Sequence, residues 1–148
     1  MAPRAFPERD YSHRTLVDKL GVANDARVCI LGVDDAGFRQ QLESRTTDVS
    51  SRARKNCALI FLAADSTAEL SRLRRLREDI VQAGAIWVVS RKGKAATLRD
   101  TDVIAAARRA GLVDNKVVAF SQTHTALRLV IPRAQRTPDT KRGTKGAD

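Results

Sequence analysis

Three short polar segments carry residue types from which a binding site could be built, and each directly follows an apolar run. The first, Gly32-Val33-Asp34-Asp35, offers two carboxylates, which suit hydroxyl groups or a cation. The second, Asp65-Ser66-Thr67, opens a helix whose free amides and partial positive charge suit an anion. In the third, Ser90-Arg91-Lys92, Lys92 adds a full positive charge that no capping role explains. The crevice candidates are therefore Gly32, Asp34, Asp35, Asp65, Ser66, Ser90 and Lys92, with an anionic group as the more natural occupant. The plainer readings are a helix cap for Ser66, a complement to the helix dipole for Asp65 and a solvated side chain for Lys92.

Several chemistries lack their residues. The two cysteines, Cys29 and Cys57, form no CxxC pair, and the two histidines, His13 and His124, stand far apart, so no zinc spacing is present and no metal is expected. Each cysteine lies in or beside an apolar run, which predicts a buried thiol acting as a small hydrophobe. There is no GxxxxGK[ST] phosphate loop and no GxSxG elbow. His124, between Thr123 and Thr125, reads as an exposed turn residue and His13 as exposed in a first helical turn, so no catalytic residue is assigned.

Positive charge is the strongest compositional signal. Lys plus Arg number 27 against 17 Asp plus Glu, a formal +10, which favours phosphates, nucleic acid or an acidic partner. The excess lies in patches: Arg52, Arg54 and Lys55; Arg72, Arg74, Arg75 and Arg77; Arg91, Lys92 and Lys94; and a tail containing Lys141 and Arg142. The phosphate or nucleic-acid candidates are Arg72, Arg75, Arg52, Arg54, Lys141 and Arg142. A compositional bias that leaves these as solvated faces explains the same patches equally well. No apolar run is long enough to span a bilayer, and the first ten residues contain no apolar signal core, so no membrane association and a cytoplasmic location are expected.

The elements that must position these residues follow from periodicity. Ser12 caps an expected helix over 11–20 that Gly21 ends, and RVCILGV at 27–33 reads as a strand buried on both faces. A turn over 34–37 and a short helix over 38–43 follow, then a polar, basic stretch with at most one short edge strand near 46–50. ALIFLAA at 58–64 is the second buried strand. Ser66 and Glu69 make a capping box for a helix expected to run to about Gly84 on the face Leu70, Leu73, Leu76 and Ile80. AIWVVS at 85–90 is the third buried strand, and a helix capped by Asp100 or Thr101 ends at Gly111. Strands at 116–121 and 126–132 are joined too closely for a crossover and must pair antiparallel. This predicts a flexible arm over 1–10, one α/β domain over 11–133 with a parallel centre and a C-terminal antiparallel hairpin, and a disordered basic tail over 134–148.

The order of elements from Ala58 onward, with QAGAIWVVSRK and RAGLVDNKVVAFSQTHTALRLVIPR, resembles the second half of class I methyltransferase domains. With YSHRTLVDKLGV and RVCILGVDDAGF, residues 11–133 resemble a small bacterial family known only as a domain of unknown function, a shortened methyltransferase-like, Rossmann-like fold. Tyr11-Ser12, Leu16, Lys19-Leu20-Gly21, Trp87, Lys92 and Gly111-Leu112-Val113-Asp114 with Lys116-Val117 carry the likeness. A family-typical Trp-Ser-Gly-Leu is replaced by His124-Thr125-Ala126-Leu127, so no role of that tryptophan transfers. The resemblance implies fold rather than activity.

A methyltransferase needs a glycine-rich turn after its first strand and an acid that binds ribose hydroxyls. Gly32 and Gly37 stand at the wrong spacing, and Asp48 is a poor ribose acid, so no cofactor is expected and S-adenosylmethionine should bind weakly or not at all. The reading placed first is a non-catalytic Rossmann-like domain that binds a small anionic ligand or a protein partner. A nucleic-acid-binding accessory protein acting through its arginine patches and tail is the alternative, and an S-adenosylmethionine-dependent methyltransferase the minor one.

Overall fold

A computed structural model describes residues 15–137. The expected arm over 1–10, Ser12, His13, Lys141 and Arg142 therefore lie outside the described residues.

Four apolar runs form the centre of a six-stranded sheet of order β2-β1-β3-β4-β6-β5. They are β1 (Val28–Leu31), β3 (Cys57–Ala63), β4 (Ile80–Arg91) and β6 (His124–Val130). The two-residue β2 (Val49–Ser50) and β5 (Val113–Ala119) close the edges. β2, β1, β3 and β4 are parallel, whereas β6 runs antiparallel to both β4 and β5. This mixed α/β sheet has the parallel centre and C-terminal antiparallel hairpin expected from the strand spacing.

Alternation along each strand divides the core between two faces. Val28, Ile30, Phe61, Trp87 and Val89 pack with Val17 of α1 (Leu16–Lys19), its C-cap Leu20, and Phe38 and Leu42 of α2 (Ala36–Glu43). Cys29, Leu31, Ile60, Ile86 and Val88 face α3 (Thr67–Leu70), α4 (Leu73–Leu76) and α5 (Asp100–Arg109) on the other side. Trp87 also donates its indole N–H to the Leu20 carbonyl at 3.1 Å, which ties α1 to the middle of the sheet.

Local details move several boundaries. Thr15 caps α1, accepting from the Asp18 amide at 3.3 Å. Asp35 caps α2, so that helix begins at Ala36 rather than Phe38. The α5 cap position is Arg99, whose amide donates to the Asp102 carboxylate at 2.9 Å, rather than Asp100 or Thr101. β5 and β6 occupy 113–119 and 124–130, about two to three residues earlier than periodicity places them.

The largest difference is the helix expected from Ser66 to Gly84. It breaks into two single turns, α3 and α4, and a 3-10 turn at Arg77–Asp79, and β4 begins at Ile80. The cause is tertiary. Asp79 is buried against Lys55, with Lys55 Nζ 3.3 Å from its carboxylate, and Ile80 pairs with Cys57 across an irregular register. Gly84 then passes so close to β3 that a Cβ there would stand 2.9 Å from the Ala58 carbonyl and 3.1 Å from that of Cys57. An extended strand bearing glycine meets this approach; a helix does not.

Past β6, Arg136 Nε donates to the Ile131 carbonyl at 2.9 Å and the Thr137 amide to Gln82 at 3.0 Å, so residues 133–137 pack on the domain. Among the described residues no helix is long and apolar enough to cross a membrane.

Candidate functional site

In an open parallel sheet, ligands settle beyond the carboxyl ends of the strands. Here the end of β1 is a tight turn in which Gly32 adopts φ +82°, the left-handed region that glycine enters without penalty. Asp35 spends one carboxylate oxygen on the Phe38 amide at 2.9 Å, starting α2. Asp34 is exposed and makes no hydrogen bond among the described residues.

Gly32, Asp34 and Asp35 line one crevice of about 170 Å³ with Ala63, Val89 and, from the β5–β6 hairpin, Phe120, Ser121, Thr123 and His124. The hairpin reaches this crevice because β6 pairs with β4 in a register that sets Ser90 opposite Thr125 and Arg91 opposite His124. Phe120 is buried against Phe38, their ring centroids 4.9 Å apart, which roots the crevice in the core. His124 exchanges a hydrogen bond between Nδ1 and the Thr123 hydroxyl at 2.8 Å. Thr123 and His124 also wall a neighbouring cavity of about 350 Å³ that holds Lys92 and Arg91.

The other sequence candidates have different surroundings. Asp65 accepts from the Arg91 amide at 3.0 Å, and its carbonyl accepts from the Thr97 hydroxyl. Ser66 accepts from the Glu69 amide at 3.2 Å and so caps α3, which has only four residues. Ser90 is buried in β4. Lys92 donates its amide to the Thr123 carbonyl at 3.0 Å and stands in the neighbouring cavity rather than the crevice itself. The residues that local reasoning did not assign are Phe120, Ser121, Thr123 and His124. Their signal was the cluster of hydroxyl groups around a histidine in the hairpin turn.

No carboxylate follows β2, whose end leads into Ser51, Arg52 and Ala53. Asp48 lies before it and is consumed by Arg54, at 2.6 Å, and Arg27, at 3.5 Å. That pairing engages Arg54, whereas the Arg52, Arg72 and Arg75 side chains are exposed. No group of His, Cys, Asp and Glu among the described residues could hold a metal ion. The two cysteines lie side by side between β1 and β3, both fully buried, with their sulfurs 3.0 Å apart.

No family model and no curated protein matches the sequence. Solved structures do match in fold. A pyocyanin biosynthetic protein, PhzM, aligns with a TM-score of 0.61 at 11% identity, over 76% of this chain and 52% of that one. A SAM-dependent methyltransferase from Aquifex aeolicus also reaches 0.61 at 12% identity, over 78% and 88%. The O-methyltransferase NcsB1 from neocarzinostatin biosynthesis, in complex with S-adenosylmethionine and a naphthoic acid, reaches 0.58 at 14% identity, over 72% and 49%. The chain thus spans about half the length of PhzM and NcsB1. The Rossmann-like, methyltransferase-type sheet is established by this likeness. The expectation of no cofactor is corrected by it, because the fold is one that S-adenosylmethionine-dependent enzymes use and NcsB1 was solved with that molecule bound.

Proposed function

We propose that this chain is an S-adenosylmethionine-binding domain of methyltransferase type, with the crevice beyond β1, β3 and β4 as its cofactor site. The observation that carries the reading is the left-handed Gly32 turn at the end of β1, opening onto a crevice between α2 and the β5–β6 hairpin. There the backbone is free of side-chain bulk beside both the carboxylate of Asp34 and the hydroxyls of Ser121 and Thr123.

The donor set suits part of an adenosyl ligand. Asp34 can accept hydrogen bonds from ribose hydroxyls or an amino group, and Ser121 and Thr123 add hydroxyls. No acid on β2 assists them, so the binding load falls on Asp34. At about 170 Å³ the crevice encloses less than the roughly 300–1,000 Å³ of ordinary ligand pockets, and a ligand of that size would need the neighbouring cavity that shares Thr123 and His124 as well. When bound, S-adenosylmethionine supplies a methyl group on a sulfonium. With Nδ1 engaged by the Thr123 hydroxyl, His124 has Nε2 left as the atom that would take a proton from a methyl acceptor.

Titration calorimetry with S-adenosylmethionine and with S-adenosylhomocysteine tests this. Micromolar binding is expected, weakened about tenfold in Asp34→Ala, the loss of about one hydrogen bond to a charged group. A folded protein that gives no heat with either molecule at millimolar concentration sinks the proposal. A non-catalytic module would bind the cofactor yet release no S-adenosylhomocysteine with any acceptor, which separates turnover from binding.

A further inference from the structure

At the opposite end of the sheet, two basic segments that are distant in sequence converge. The loop before β3 brings Arg54 and Lys55, and the α4 region before β4 brings Arg72, Arg75, Leu76 and Asp79, around a cavity of about 440 Å³. Its charge is unequally matched. Arg54 is held by Asp48 at 2.6 Å and also donates to the Val28 and Asp48 carbonyls, and Lys55 is matched by the buried Asp79 at 3.3 Å. The Arg72 and Arg75 side chains have no partner among the described residues, so their two charges are uncompensated. Arg54 Nε is also a buried donor without a partner, in a residue that lines the cavity.

We propose that this basin binds the phosphoryl dianion of a small organic phosphate. Two guanidinium groups with spare planar donors match a dianionic phosphate in charge and geometry. The volume falls in the range of small-molecule pockets, and Leu76 and Ala53 supply apolar wall for an organic moiety. The concavity favours a small phosphate over the backbone of a nucleic acid, which needs a tracking groove or stripe. Asp79 faces the same cavity and is kept from repelling the anion by Lys55.

The test uses the full chain at pH 8 with inorganic phosphate as the probe, read through the NMR signals of the arginine Nε–H groups. Saturable shifts at Arg72 and Arg75 are expected, with affinity about tenfold weaker in Arg72→Ala or Arg75→Ala. Lys92→Ala, at the other end of the sheet, should not alter them. A random 20-base-pair DNA duplex forms the second arm. A salt-sensitive duplex complex lost in the same two variants, without saturable phosphate binding, overturns the small-molecule proposal in favour of nucleic acid. No saturable shift with either probe, or shifts indifferent to both substitutions, overturns it outright. S-adenosylmethionine titration of the same variants should match the unsubstituted protein, so failure here leaves the cofactor reading standing.

Discussion

The adjacent thiols make alkaline stability a sharp probe of the packing between β1 and β3. Cys57 Sγ donates to the Arg54 carbonyl at 3.1 Å and lies 3.0 Å from Cys29 Sγ, with no water-accessible surface on either residue. Burial first, and the neighbouring thiol second, push the Cys57 thiol up to about 12 from 9.0. A thiolate there would face a carbonyl oxygen in place of the proton it now donates. Because the folded state holds this proton more tightly, its contribution to stability is complete below pH 9 and is lost as pH rises toward 12. At pH 10, one unit above the ordinary value, the loss is on the order of 1 kcal/mol. Urea unfolding of the unsubstituted chain and of Cys57→Ala at pH 7 and pH 10, both under reducing conditions, isolates it, since lysine titration is common to both. The stability gap between the two proteins should narrow by roughly 1 kcal/mol from pH 7 to pH 10. A gap that stays constant would show that the thiol is solvated and that this account of the β1–β3 contact is mistaken.

Two glycines should fail for different reasons. Gly84→Ala forces a Cβ to within 2.9 Å of the Ala58 carbonyl, a backbone group that cannot swing aside, and should cost about 1–3 kcal/mol in urea unfolding. Gly32→Ala meets only Ala63 Cβ at 3.5 Å, so its cost is the left-handed backbone alone, about 1–2 kcal/mol; a larger loss would reveal a clash that this geometry lacks. Trp87→Phe leaves the Leu20 carbonyl without its indole donor and should cost at least about 1–3 kcal/mol by circular dichroism melts, with amide exchange in Leu16–Lys19 rising. Unchanged exchange in that helix would mean that Trp87 does not anchor it. Both cysteines should label slowly with a thiol reagent at pH 7, and prompt labelling of either would contradict their burial.

The strands were legible because burial on both faces leaves a mark that needs no partner to interpret: VCIL, CALIFLA and AIWVV are apolar throughout. The segment after Ser66 reads as one helix because Leu70, Leu73, Leu76 and Ile80 satisfy a helical period, and the same spacing also serves two isolated turns followed by a strand. What decides between them lies outside the segment, in the Lys55–Asp79 pair and in the carbonyls of Cys57 and Ala58 that Gly84 must pass. The crevice was half legible for a similar reason. A turn of Gly32, Asp34 and Asp35 at a strand end is a local pattern, whereas its second wall depends on β6 entering the sheet beside β4, inside β5. That order has its own logic: Ala126, Leu127, Leu129 and Val130 are buried, while Asn115, Lys116, Val117 and Ala119 are exposed and suit an edge. Once β6 is central, the register that pairs Arg91 with His124 carries the histidine from an apparent turn to the mouth of the crevice. The same holds for charge. Runs of arginine are visible in the sequence itself, but which of them are spare is set by two aspartates, Asp48 and Asp79, and only the fold brings those carboxylates to Arg54 and Lys55 and leaves Arg72 and Arg75 unmatched among the described residues.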